Sequence, residues 1–150
     1  MQISDLIEAD SVFCNLQASS KKHLLQTLAG EASRMTGLSE RDILERILER
    51  ERLGTTGVGN GVAIPHGKFS ELECVHSLFA TLKNPVEYES VDDEPVDLIC
   101  LLLAPVESGT DHLRALAKMS QLLRNTDYCE RLRSTNSNAS LFECLIGDSP

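Results

Sequence analysis

The 150-residue chain contains no tryptophan, and aromatic residues make up only 4% of it. Stacking platforms for single-stranded nucleic acid are therefore not expected. Basic residues are also in short supply: 14 Lys and Arg stand against 23 Asp and Glu, a formal net charge of −9. Carboxylates in that excess repel a phosphate backbone and anionic lipid alike, which argues against nucleic acid as a partner. No long hydrophobic run is present. The longest, Leu98 to Val106, falls well short of the roughly 20 residues of a spanning helix, so no membrane insertion is expected. The first residues, Met1-Gln2-Ile3-Ser4-Asp5-Leu6-Ile7-Glu8, lack a basic, apolar leader, and a cytoplasmic location is expected. The five cysteines (Cys14, Cys74, Cys100, Cys129, Cys144) are scattered without C-x-x-C spacing. That pattern supports neither a disulfide framework nor a zinc site; reduced thiols, mostly buried as small hydrophobes, are expected.

What is present reads as one α/β domain over 1–150. Val12 to Leu16 reads as a strand. Ser19 and Ser20 offer N-caps to a helix from about Lys21 to Thr36, with apolar positions Leu24, Leu25, Leu28, Ala29, Ala32 and Met35 and a stop at Gly37. Ser39 starts a second helix whose core stripe is Ile43, Leu44, Ile47 and Leu48. Its other face carries Glu45, Arg46, Glu49 and Arg50, and the like-charged i,i+4 pairs on that face need tertiary partners. Strands are expected at Val75 to Leu82 and Val96 to Ala104, the second so apolar that both its faces must be covered. A helix capped by Thr110 or Ser108 then runs to about Arg124. Thr126 caps a helix from Asp127 to Arg133, and Asn138 caps one from Ala139 to Ile146. The expected fold is a three-layer α/β (α+β) sandwich, a mixed sheet of about four to five strands flanked by helices.

Five of nine glycines lie between Gly54 and Gly67, interleaved with Val58, Val62 and Ile64. Glycines let a backbone turn several N–H groups toward one point, making an anion-binding concavity. Val62-Ala63-Ile64 reads as a short anchored strand that Pro65 ends, leaving His66 at a rigid lip with Gly67 open to close approach. An imidazole so placed is a candidate nucleophile, base or metal ligand, or a structural residue at a strand end. A P-loop is excluded, because Gly67-Lys68 is followed by Phe69 and Val62 stands where the first glycine belongs. His66, His76 and His112 lack metal-ligand spacing, and no metal is expected.

The residues also resemble a known family. Glu51, Val58-Gly59 and the run Val62-Ala63-Ile64-Pro65-His66-Gly67 are similar to the active-site signature of the fructose/mannitol-type enzyme IIA proteins of the bacterial phosphotransferase system. Ser19-Ser20-Lys21-Lys22, the stretch Arg50 to Gly61, and Asp111-His112-Leu113-Arg114-Ala115-Leu116-Ala117 resemble its nitrogen-regulatory IIA branch. The resemblance covers most of the chain. It implies the type-2 IIA fold, no cofactor, and a phosphotransferase component that is regulatory rather than metabolic. His66 would receive a phosphoryl group from a phosphorylated NPr-like carrier, and regulatory target proteins, potassium transport and nitrogen-related regulators among them, would respond to its phosphorylation state.

The resemblance further implies that Arg50 and His112 belong to the active site, Arg50 as a bidentate phosphoryl clamp and His112 as a neutral imidazole at a helix start. Gly59, Asn60, Gly61 and Gly67 are expected to present backbone N–H groups to the phosphoryl oxygens. Glu51 fits the signature but also balances adjacent arginines. His23 and His76 match nothing in the pattern, and Val58, Val62, Phe69 and Leu113 are the expected apolar docking rim. The alternatives are a sugar-specific IIA subunit passing phosphate to a IIB domain, against which Asn60 stands because that branch often carries Glu there, and a binding module without transfer.

Overall fold

The computed structural model describes residues 2–107 and 109–147. After two short 3-10 turns, β1 (Val12–Leu16) leads to two helices, α1 (Lys21–Thr36) and α2 (Glu40–Leu53). Next come β2 (Gly57–Gly59), β3 (Val62–Ala63), β4 (His66–Phe69), β5 (His76–Val86) and β6 (Val96–Pro105). Three helices close the chain: α3 (Asp111–Leu123), α4 (Thr126–Arg133) and α5 (Asn138–Gly147).

The strands form one mixed sheet of six in the order β1-β5-β6-β3-β2, with β4 also pairing β6. β5 runs antiparallel to β6, whereas β1 is parallel to β5 and both β3 and β4 are parallel to β6. The sheet exceeds the four to five strands expected because the glycine-rich stretch yields three short pieces. Gly59, Asn60 and Gly61 all have positive φ (103°, 57° and 81°) and turn β2 back antiparallel onto β3. Pro65 then interrupts the chain between β3 and β4 while its carbonyl accepts from Leu102 N at 3.0 Å. β5 continues past Leu82 through a register irregularity that accommodates Pro85 before pairing resumes at Val86–Val96.

β6 is the buried spine. Leu98, Cys100 and Leu102 pack into one core with Ala115, Met119, Leu132 and Leu141 from the C-terminal helices. Ile99, Leu101 and Leu103 pack into the other with Leu24, Leu28, Ile43 and Ile47 from α1 and α2. Strand alternation thus produces two cores and three layers from one apolar run.

Local chemistry sets the helix ends. Ser20 and Ser39 accept from His23 N and Asp42 N, and Gly37 closes α1 in the left-handed conformation at φ 78°. Three caps differ from the sequence reading. Asn125, not Thr126, caps α4 by accepting from Tyr128 N at 3.0 Å. Ser137 accepts from Ser140 N at the start of α5, while Asn138 Oδ1 accepts from Cys14 N at 2.7 Å and ties that helix to β1. Thr110 precedes α3 without a side-chain capping bond, and Ser108 lies outside the described residues. All five cysteines are free; only Cys100 and Cys129 are buried, with Cys14 and Cys144 half-buried and Cys74 exposed, so fewer are buried than expected.

Candidate phosphoryl-transfer site

A cavity of about 630 Å³ opens where the outer edge of β4 meets the end of α2 and the start of α3. His66, Arg50, His112 and Gly67 all line it, so the structure brings these four sequence candidates together. Its wall is apolar, with Val75, Leu102, Ala104, Leu113 and Leu116, and Leu53 stands 86% exposed at the mouth. Charge at the mouth is cationic. Arg46, Arg50, Arg52 and Lys68 outnumber Glu49 there, in a chain whose net charge is −9.

Each side chain is positioned by identifiable local chemistry. His66 is the first residue of β4, paired with Leu102 of β6, and is half-buried. Its Nδ1 lies 2.9 Å from Ile64 O. A carbonyl only accepts, so Nδ1 carries a proton, and in the neutral imidazole it is Nε2 that keeps the lone pair. Arg50 comes from the last turn of α2 and donates from Nη1 to Gly54 O at 2.8 Å, which orients the guanidinium where the helix ends. His112 occupies the first turn of α3. Burial, then the charges of Lys68 and His66, holds its imidazole below the usual histidine range and favours the neutral form.

Gly67 has a steric role: a Cβ there would stand 3.2 Å from Arg46 Cγ and 3.4 Å from the Phe69 ring. Arg46 itself lies over that ring, 5.7 Å from its centroid. The like-charged Arg46–Arg50 face of α2, unexplained by the sequence alone, is the face turned to the cavity.

Gly59, Asn60 and Gly61 are elsewhere, and the expected phosphoryl cradle has to be corrected. Gly61 O accepts from Asp97 N and Leu98 N, near the start of β6, whereas His66 pairs Leu102. The intervening strand residues separate the two by about 15 Å at the usual rise of a strand. The Asn60 N–H and carbonyl are also taken. Asn60 N binds Asp92 Oδ2 at 2.9 Å, and Arg133 spans Asn60 O and the Asp97 carboxylate. Backbone donors from Asn60 and Glu94 in turn hold the Asp92 carboxyl below its ordinary range. Among the expected rim residues only Leu113 lines the cavity; Val62 and Phe69 are buried in the cores, and Val58 is exposed on the hairpin.

Glu51 points away from the cavity. Its carboxylate, 6% exposed, accepts from Thr56 N (3.1 Å), the Thr56 hydroxyl and Tyr88 Oη (3.1 Å), and pairs with Lys21 Nζ at 3.0 Å. Lys21 also lies 4.4 Å from the centre of the Tyr88 ring. Burial and the Glu51 charge push the Tyr88 phenol far above its usual range, so it remains a donor. Thr56 O then accepts from Ile64 N at 3.0 Å, and Ile64 O holds His66. Glu51 is therefore a buried brace behind the histidine. His23 and His76 do not line the cavity: His23 Nδ1 accepts from Ser19 N at the start of α1, and His76 Nε2 contacts Cys74 Sγ at 3.5 Å.

Sequence reasoning missed Lys68, Arg46 and Arg52. The signal was available for two of them, since Lys68 is two residues from His66 on a strand and Arg46 four from Arg50 on a helix. Among the described residues no cluster of His, Cys, Asp or Glu could hold a metal ion, and no helix is long and apolar enough to cross a membrane.

Comparison with known proteins identifies the family. The family model for the phosphoenolpyruvate-dependent sugar phosphotransferase system, EIIA 2, matches residues 5–147. A nitrogen regulatory protein of Bradyrhizobium diazoefficiens is 47% identical over 145 residues, covering 97% of this chain and 95% of that one. The crystal structure of nitrogen regulatory protein IIA-Ntr from Neisseria meningitidis superposes with a TM-score of 0.90 at 30% identity, covering 95% of this chain and 98% of that one. The Escherichia coli mannitol IIA, solved in complex with phosphorylated mannitol IIB, shares the fold at a TM-score of 0.77 and 21% identity, covering 95% and 98%. The chain belongs to the EIIA type-2 family of the phosphoenolpyruvate-dependent sugar phosphotransferase system, on the side of its nitrogen regulatory proteins.

Proposed function

We propose that this protein accepts a phosphoryl group on Nε2 of His66 from the phosphohistidine of a small NPr-type carrier, and that the phosphorylated and unphosphorylated forms bind regulatory targets differently. The observation that carries this reading is the Nδ1–H bond to Ile64 O, which in the neutral imidazole makes Nε2 the nucleophilic nitrogen of a ring lining a cation-rimmed cavity.

The step needs little beyond positioning and charge stabilisation. The P–N bond of the carrier's phosphohistidine breaks as a P–N bond forms at His66 Nε2. The carrier imidazole, already protonated on its other ring nitrogen, leaves neutral, and the Nδ1 proton stays on His66, held by Ile64 O. Arg50 meets the equatorial oxygens with a planar fork of N–H donors. His112, kept neutral, donates or accepts a hydrogen bond without competing for the phosphoryl group. Both ends of the exchange are phosphoramidates, so it is reversible and consumes neither nucleotide nor metal. Leu53, Leu113 and Val75 supply apolar surface around the nucleophile for a protein donor. Adding a dianion to this mouth cancels most of its net positive charge, which is a sufficient physical switch for partner choice.

Incubation with the phosphorylated carrier and intact-mass analysis tests the reading. One acid-labile phosphoryl group per chain is expected, absent from His66→Ala. An unmodified wild-type chain would overturn it.

A further inference from the structure

Lys68 is an exposed residue of β4, and its placement follows from strand geometry. Successive side chains of a strand alternate between faces, so His66 and Lys68 share one face while Gly67 and Phe69 share the other. The packing agrees. Phe69 is buried in the core beneath α1 and α2, and a Cβ on Gly67 would meet Arg46 of α2. His66 and Lys68 therefore face the start of α3, where His112 stands, and all three line the cavity. The Lys68 charge acts on the His112 imidazole. The carboxylates are accounted for differently. Lys21 is paired with Glu51 and Arg133 with Asp97, whereas no carboxylate among the described residues lies within salt-bridge distance of Lys68.

We infer that the Lys68 ammonium is a second anchor for the phosphoryl group on His66, facing it from the strand while Arg50 faces it from the helix. This rests on the reading of His66 as the phosphoryl acceptor. The two cations divide the work. Arg50 is fixed by its bond to Gly54 O and offers a rigid fork, suited to a planar arrangement of oxygens during transfer. Lys68 is a mobile point charge on a flexible stem, able to follow the phosphoryl group to its resting position. Its contribution therefore falls on the stored phosphohistidine: it lowers the second ionisation of the phosphoryl oxygens and shields phosphorus from water. No proton passes through it, because an ammonium beside a dianion keeps its charge.

The test needs no carrier protein. Phosphoramidate is used as donor: its P–N bond breaks, the bond to His66 Nε2 forms, and ammonia leaves. Wild type, Lys68→Ala, Lys68→Gln and Lys68→Arg are phosphorylated, then followed by 31P NMR across pH and by intact mass over time. For both neutral variants we expect a higher second ionisation of the phosphoryl group. A phosphohistidine lifetime shortened about three- to tenfold is also expected, the range for a partly exposed charge-assisted contact, with both properties restored in Lys68→Arg. Proton NMR of the unphosphorylated Lys68→Ala chain should show the His112 titration moved to higher pH. A phosphorylated wild type whose 31P titration and lifetime match those of Lys68→Ala and Lys68→Gln would overturn the role of Lys68 and leave the His66 reading standing. Failure of wild type to take up phosphoryl would overturn the His66 reading itself, and the inference with it.

Discussion

The two ends of the glycine-rich stretch carry similar residues and opposite electrostatics. At one end, His66 and Gly67 open on a cavity rimmed by Arg46, Arg50, Arg52 and Lys68. At the other, the Asn60 N–H is held by Asp92, and the Asn60 and Gly61 carbonyls accept from Arg133 and from Asp97 N, with Arg133 paired to the Asp97 carboxylate. Five residues of sequence, with Pro65 among them, carry the chain along β6 from an acid-clamped hairpin to a cation-rimmed lip. Contiguity in sequence is thus a poor guide to contiguity in a site once strands intervene. The hairpin anchors β3, β3 sets the start of β4, and β4 presents the imidazole.

Substitutions at the two ends should separate these roles. The largest difference is expected from Glu51→Ala, behind the lip. It leaves Lys21, Thr56 and Tyr88 without their common acceptor in a buried place, a loss of about 3 kcal/mol, measurable by urea denaturation. At the hairpin, Gly61→Ala forces a Cβ to 2.7 Å from Arg133 Nη2 and Asp97 Oδ1 at φ 81°. It should cost about 2 kcal/mol while leaving the phosphorylation rate per folded molecule unchanged. A rate that fell with Gly61→Ala would rejoin the two ends and return the hairpin to the site. Arg50→Ala should do the reverse, slowing transfer about tenfold or more with a stability change of only a few tenths of a kcal/mol.

The smallest effects are in the titrations. His112 has a folded pKa below its unfolded one, so its contribution to stability is lost as pH falls from the ordinary imidazole range through the lowered value. Asp92 is likewise lowered, and its contribution is lost only in the carboxylate range, as pH falls through its folded pKa. Phosphorylation of His66 brings a dianion to His112, in company with Lys68, Arg50 and Glu49, and should move the His112 titration upward while leaving Asp92 where it was. NMR titration of both forms checks this, and equal shifts at the two residues would show that the ends are coupled.

Much of the fold was legible because it follows from periodicity. β1, α1, α2 and β6 appear where apolar spacing places them, and Gly37 ends α1 as its conformational freedom requires. The caps of α4 and α5 were displaced by one residue because Asn125 and Ser137 compete with Thr126 and Asn138 for the same role, and Asn138 is engaged with β1. The residues lining the cavity were legible in part. His66 stands out by its place after Pro65 in the glycine-rich run, and Arg50 and His112 through the family resemblance, but Lys68 and Arg46 enter through strand and helix periodicity rather than through a motif. The glycine hairpin misled for a physical reason: a turn rich in positive φ is equally good as an anion cradle or as a tight strand reversal. Only the carboxylates of Asp92 and Asp97, more than thirty residues away in sequence, decide between the two.

The most direct test of the central claim is to phosphorylate protein labelled with 15N-histidine and find the nitrogen coupled to phosphorus. A 31P–15N coupling to Nε2 of His66, with Nδ1 still protonated against Ile64 O, is the predicted result. Coupling to Nδ1 of His66, or to His23, His76 or His112, would contradict it.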